Sequence, residues 1–189
     1  ADVTNMQGGI MAWKGASAVG APGTGMGHYR GDETPEEILT LAFAMERELG
    51  AFYAELAGKA EDESLKAAFL KLAGFEDKHK LVVYHLYKRL HPESAGIEDL
   101  ASKAVARVME GGRDAAEVLE GLKGFEQAHD ALDMAMGIEA QAMDLYMRQA
   151  AVTAQQEAKD TLHQLAGEER GHLRALAELM NKLGAKKEA

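Results

Sequence analysis

Leu72-Ala73-Gly74-Phe75-Glu76-Asp77-Lys78-His79 returns 93 residues later as Leu165-Ala166-Gly167-Glu168-Glu169-Arg170-Gly171-His172. The register holds upstream without a gap, where Ala42 aligns with Ala135, Glu46 with Glu139 and Tyr53 with Tyr146. A repeat at a fixed offset marks a copied supersecondary unit. Each copy has the 3-4 spacing of amphipathic helices. The second helix of the first copy reads Leu65, Phe69, Leu72, Glu76, His79, Val83, Leu86, Leu90. Its counterpart reads Leu162, Leu165, Glu169, His172, Leu176, Leu179, Leu183.

The ends of these helices are also written in the chain. Thr34-Pro35-Glu36-Glu37 offers an N-cap, a proline at the first helical position and a capping-box glutamate, which predicts a helix over 35–59. Asp62 caps a second helix that stops before His91-Pro92. A third is predicted from about Phe125 to Val152 and a fourth from about Gln155 to Leu183, ending at Gly184. Between the pairs, residues 92–123 carry the Gly111-Gly112 break and one or two short helices. Two similar hairpins joined by a long connection predict an all-α four-helix bundle with one long crossover.

Each helical seam is apolar except near its middle. There Glu46, Glu76 and His79 interrupt the first copy, and Glu139, Glu169 and His172 the second. Glu46 and Glu76 each lie 15 residues from position 61, and Glu139 and Glu169 each lie 15 from position 154. At ~1.5 Å per residue both members of a hairpin reach the same height above their turn, so all six groups can converge. Within each Glu-x-x-His pair the two side chains share one helix face and can reach one ion.

Electrostatics decides what belongs at that point. Four buried carboxylates would each cost several kcal/mol without compensation, a sum that rivals the ~5–15 kcal/mol stabilising a whole domain. Two divalent cations cancel four negative charges, and two imidazoles complete the ligand set as neutral donors. Oxygen and nitrogen ligands without thiolate suit iron or manganese, with zinc as a further option.

Composition narrows the function further. The chain has 189 residues, 47% hydrophobic and 6% aromatic, enough for one domain with an aliphatic core. A net charge of −10 argues against nucleic acid and anionic membrane surfaces as partners. No run is long enough for a membrane span, and the first residues lack a secretory signal pattern. With no cysteine, disulfides, iron–sulfur clusters and rubredoxin-type iron are excluded, and a cytoplasmic location is the expectation.

Glu…Glu-x-x-His given twice resembles the ferritin-like superfamily, and within it the rubrerythrin-related di-iron proteins. The resemblance covers residues 34–184. It implies that Glu76 and Glu169 bridge two iron ions, with Glu46 and His79 completing one ion and Glu139 and His172 the other. Tyr53 and Tyr146 lie seven residues after Glu46 and Glu139, on the same face, where each could hydrogen-bond a ligand carboxylate. Rubrerythrins carry a further glutamate three residues after the position of Glu139, and this chain has Ala142 there. The implied activity is reduction of peroxide or oxygen by a homodimer, with electrons from an external donor. Iron storage with ferroxidase activity and a di-manganese catalase-like site are the competing readings.

Residues 1–33 stand apart, with eight of the 20 glycines, and Gly20 to Gly31 reads as a linker. Val3 to Trp13 resembles the tail of a rhodanese domain, as in a rhodanese–rubrerythrin fusion, without the catalytic cysteine that sulfurtransfer needs. Residues 185–189 read as a C-terminal tail. Outside the six ligands, Glu168, His85, His91, His129 and His163 are expected to be solvated or otherwise satisfied, and Met134, Met136, Met143 and Met147 to fill the core.

Overall fold

The structure, a computed structural model, describes residues 25–109, 112 and 128–187, with side chains in the last two helices described from 130 to 181. The Val3–Trp13 segment, the start of the third long helix at Phe125 and the His129 side chain lie outside the described residues. The helices are α1 (Pro35–Lys59), α2 (Glu63–Leu90), α3 (Ile97–Lys103), α4 (Ala128–Val152) and α5 (Gln156–Lys187).

Local chemistry sets the first boundaries as the sequence implies. Thr34 Oγ1 accepts from the Glu37 amide at 3.2 Å while Glu37 Oε2 accepts from the Thr34 amide at 2.8 Å, closing the capping box on α1. Asp62 Oδ1 accepts from the Leu65 amide at 2.8 Å and starts α2. The last helix continues three residues beyond the expected stop at Gly184, to Lys187. A glycine ends a helix only where it turns left-handed, and Ala185-Lys186-Lys187 has the propensity to carry the helix on.

α1 packs along α2 and α4 along α5, and the hairpins meet through α2 against α4 and α1 against α5. The core falls into two apolar clusters. One gathers Ile38, Leu39, Val83, Leu86, Leu145 and Leu162; the other gathers Leu49, Phe52, Leu65, Phe69, Leu132 and Leu176. The start of α1 therefore shares an end of the bundle with the ends of α2 and α4, while the α1–α2 turn lies at the opposite end. The two hairpins point in opposite directions and α2 runs parallel to α4, an arrangement that a short loop cannot connect.

The connection supplies that length. Arg47 in α1 holds its beginning, donating to the carbonyls of Ala104 at 2.6 Å and Ala106 at 3.1 Å. Val108 packs in one core cluster and Met109 in the other, so the chain crosses the middle of the bundle there. The described part of the expected linker lies against the bundle. Tyr29 is buried in the first core cluster, and buried Glu33 accepts from the amides of Arg30 and Gly31 and from Gln149 Nε2 at 3.4 Å.

Candidate metal centre

Between the two apolar clusters lies a polar layer formed by Glu46, Glu76, His79, Glu139, Glu169 and His172. The four glutamates are buried, each with no more than 2% of its surface exposed. All four long helices contribute, because each seam that buries leucines above and below must also bury the residue between them. The pieces meet by copies. His79 Nδ1 is 2.9 Å from Glu76 Oε2 and 3.4 Å from Glu46 Oε2. His172 Nδ1 is 2.8 Å from Glu169 Oε2 and 3.1 Å from Glu139 Oε2. The internal repeat thus survives as a local pseudo-twofold, with one imidazole serving two carboxylates on each side.

The two halves touch through their histidines. The rings of His79 and His172 stack with centroids 3.3 Å apart and planes 4° from parallel. Two imidazoles can carry at most two positive charges, short of balancing four carboxylates.

That imbalance appears in the glutamates. Burial pushes the Glu46 carboxyl well above the ordinary carboxylate range, and the nearby Glu76 charge adds to the rise against partial relief from His79. Burial also acts on Glu139, but the hydrogen bond and charge of His172, helped by Glu169 and His79, outweigh it and hold that carboxyl below its usual value. The geometry accounts for the difference. Nδ1 of His172 is within hydrogen-bonding reach of Glu139, whereas Glu46 Oε2 is buried with no hydrogen bond of its own.

The charge and ligand chemistry of these residues fit bound metal cations. Two groups have ligand atoms all within 4.8 Å of one another: Glu46, Glu76 and His79, and His79, Glu139 and His172. The first matches one expected half-site. The second draws His79 across from the first hairpin, and Glu169 stands outside it while still contacting His172 Nδ1. All six sequence-derived positions are thus brought together. Tyr53 and Tyr146 are fully buried, one in each apolar cluster and so on opposite sides of the polar layer. Ala142 is fully buried too.

Other sequence readings resolve less uniformly. His85 and His163 are exposed, and His91 pairs with Glu36 and Glu93 at 3.2 Å each while stacking on Tyr87. Met136 is core, but Met147 is 49% exposed. Glu168, expected to face solvent, is half-buried and lines a narrow crevice with Glu46, His79, Val82, Val83, Leu165, Glu169 and His172. Helical periodicity places Glu168 beside the seam. It does not reveal that the neighbouring surface of α2 reaches over it.

Fold and layer together define an all-α carboxylate–imidazole bundle. Residues 37–129, which span the first hairpin and most of the connection after it, match the rubrerythrin family model. Glu46, Glu76 and His79 fall inside that match, and the second trio lies 93 residues on, in the repeat. No curated protein matches the sequence. Two solved structures are similar. A hypothetical protein from Pyrococcus furiosus is 24% identical, with a TM-score of 0.49 over 82% of this chain and 92% of its own. A Thermotoga maritima protein described as a ferritin-like diiron-carboxylate protein is 26% identical, with a TM-score of 0.44 over 79% of this chain and 96% of its own.

Proposed function

We propose that this chain is a non-haem di-iron carboxylate protein that reduces peroxide or oxygen with electrons from an external donor. The observation that carries the reading is the buried, pseudo-symmetric set of four carboxylates and two histidines, in which Glu46 Oε2 lacks a hydrogen bond. The rubrerythrin match over residues 37–129 agrees with iron as the metal, with manganese and zinc as alternatives the ligand chemistry also accepts.

In this reading Glu46 and His79 hold one ion, Glu139 and His172 the other, and Glu76 and Glu169 are shared. A ferrous pair, when bound, supplies the two electrons needed to reduce the O–O bond. The protein's part is placement and exclusion. The helical hairpins fix each carboxylate against its histidine, and Leu49, Leu72, Leu145 and Leu165 close the layer from water above and below. Tyr53 and Tyr146 lie two turns beyond Glu46 and Glu139, and in this reading their hydroxyls could orient ligand carboxylates. These 189 residues hold no cysteine for thiolate-bound iron, and the reading takes its electrons from an external donor. A homodimer working in the cytoplasm completes the reading. Among the described residues no helix is long and apolar enough to cross a membrane.

Anaerobic loading with ferrous iron followed by rapid mixing with peroxide tests the proposal. Two-electron oxidation within the mixing experiment and turnover with an added reductant are expected; a loaded protein inert to both would remove the activity. Iron storage with ferroxidase activity has one observation in its favour, since buried Ala142 offers no further carboxylate for ligand exchange. Native mass spectrometry separates the two, because storage requires a hollow many-subunit shell. Metal content after native purification, with oxygen release from peroxide, tests the di-manganese alternative.

A further inference from the structure

The two helices that carry the Glu-x-x-His pairs differ on their outer faces. α2 bears Lys66, Lys71, Lys78, Lys80, Lys88 and Arg89 against two exposed acids, Glu63 and Asp77, in a chain whose net charge is −10. Lys66 lies 3.9 Å from Glu63, and Lys80 lies 2.9 Å from Asp77. Lys71 and Lys78 are exposed and pair with no acid among the described residues. Their ammonium groups stand 5.9 Å and 5.6 Å from the ring centroid of half-buried Phe75. Helical spacing puts Leu70, Lys71, Gly74, Lys78 and Leu81 on one face. Leu70 is 55% exposed and Leu81 48%, and a Cβ on Gly74 would meet no atom within 4 Å. The twin positions on α5 keep the glycine, as Gly167, but replace the lysines by Gln164 and Gly171, the leucines by His163 and Arg174, and Phe75 by Glu168.

We propose that this face of α2 docks the external electron donor, and that the donor is a protein with an acidic surface around its redox group. The inference rests on the di-metal reading above and adds the partner's chemistry and its place of contact. An apolar centre within a charged rim is the anatomy of a protein–protein contact, and here Leu70 and Leu81 form the centre and the lysines the rim. Because an aromatic ring rather than a carboxylate sits beside Lys71 and Lys78, their charge stays unneutralised. A basic patch on an otherwise acidic protein steers an acidic partner to that patch, since the rest of the surface repels it. A second copy of this chain fits poorly. A twofold contact sets a patch against itself, and here it would set Lys71 and Lys78 against like charges. Gly74 leaves the middle of the face flat, so a partner can approach the helix backbone closely. The place suits the electrons, because Phe75 is peptide-bonded to Glu76, which the reading shares between the two ions. Two electrons leave the donor and return a ferric pair to ferrous, and no atom or group is transferred.

The test uses an acidic plant-type [2Fe–2S] ferredoxin, a low-potential carrier that gives one electron per molecule, so two are oxidised for each metal pair reduced. Its binding to the full chain is measured by titration calorimetry, with and without iron and at two ionic strengths. The wild type should bind it, less tightly as salt rises. Lys71→Glu combined with Lys78→Glu, and separately Gly74→Gln, should each weaken binding about tenfold and slow ferredoxin-driven reduction of the iron by a similar factor. Arg170→Glu combined with Arg174→Glu makes the same charge change on exposed positions of α5 and should stay within about twofold of the wild type. Circular dichroism and iron stoichiometry should match the wild type in all three variants. Wild-type binding by the lysine variant would overturn the proposal, as would equal weakening by the arginine variant or no binding of ferredoxin to the wild type. So would a wild-type dimer that the lysine variant dissociates in analytical ultracentrifugation, since a second copy would then own the face. Binding needs no iron, so a chain that binds ferredoxin as expected but is inert to peroxide after ferrous loading would overturn the di-iron reading instead.

Discussion

Replacing Glu46 by glutamine should move the stability of the metal-free and the metal-loaded protein in opposite directions. The metal-free protein at neutral pH must either hold a buried carboxylate whose Oε2 has no hydrogen bond or keep a proton on it. A buried polar group left unsatisfied costs about 1–3 kcal/mol, more when charged. Glutamine keeps the volume and removes the charge, and its amide can donate to the neighbouring Glu76 carboxylate. The metal-free variant is therefore expected to be more stable at pH 7.5 by about 1–3 kcal/mol, a rise in Tm of about 2–4 °C per kcal/mol for a chain of this size. The sign follows from linkage. Burial raises the Glu46 pKa in the folded state, so its contribution is fully present below the unfolded value and is lost as pH rises through the folded one. The advantage of the variant should thus grow with pH and vanish near pH 4. With metal the order reverses, because a ligand is missing: saturation at 100 Kd stabilises the wild type by about 2.7 kcal/mol, and the variant forfeits most of that at the same metal concentration. Urea unfolding at several pH values, with chelator and with ferrous iron or cobalt(II), measures both arms. A variant less stable than wild type without metal at pH 7.5, or one that still gains the full metal increment, would refute the reasoning.

Glu139→Gln should behave as the mirror image without metal. The lowered Glu139 pKa stabilises the fold above the unfolded value and loses that effect as pH falls through the folded one, so this variant should be less stable at pH 7.5, with the deficit closing in acid; chelator-treated melts at pH 7.5 and pH 4 check it. Gly50→Ala would ordinarily gain up to about 1 kcal/mol in a helix, but a Cβ there would lie 3.1 Å from the Glu76 Cβ, so no rise in Tm and a weaker metal affinity are expected by calorimetry. Thr34→Ala opens the capping box and should cost about 1 kcal/mol in urea unfolding while leaving metal stoichiometry intact. Chelation should lower the midpoint of thermal unfolding, and acid should release metal as carboxylates and imidazoles protonate; a midpoint indifferent to chelator would separate the fold from the centre.

The parts of this molecule that sequence announces are those set by neighbours along the chain. The capping box at Thr34, the cap at Asp62 and the stop before His91 are local, and their hydrogen bonds form as the residues imply. The six polar interruptions were legible because an apolar seam leaves a buried residue nowhere else to point, and because they occur twice at one offset. What escaped the sequence depends on partners distant in the chain. Arg47 seeks the Ala104 and Ala106 carbonyls across more than fifty residues, and nothing near Arg47 signals it. Tyr29 and Glu33 join the bundle because Gln149 and the first core cluster receive them, whereas local glycine content alone reads as a linker. Glu168 looked solvated because its burial is imposed by α2, and Gly184 looked like a stop because its backbone angle cannot be read from its identity.

The opposed orientation of the two hairpins has a consequence for ancestry and design. A unit comprising α1 and α2 carries two glutamates and one histidine, half of the full complement, and a half-turn about an axis through the stacked imidazoles generates the rest. Two identical short chains could therefore have assembled such a centre before any fusion joined them. Once one chain encoded both halves, each position became free to diverge from its twin, and Gly50 against Met143, or Phe75 against Glu168, records where it did.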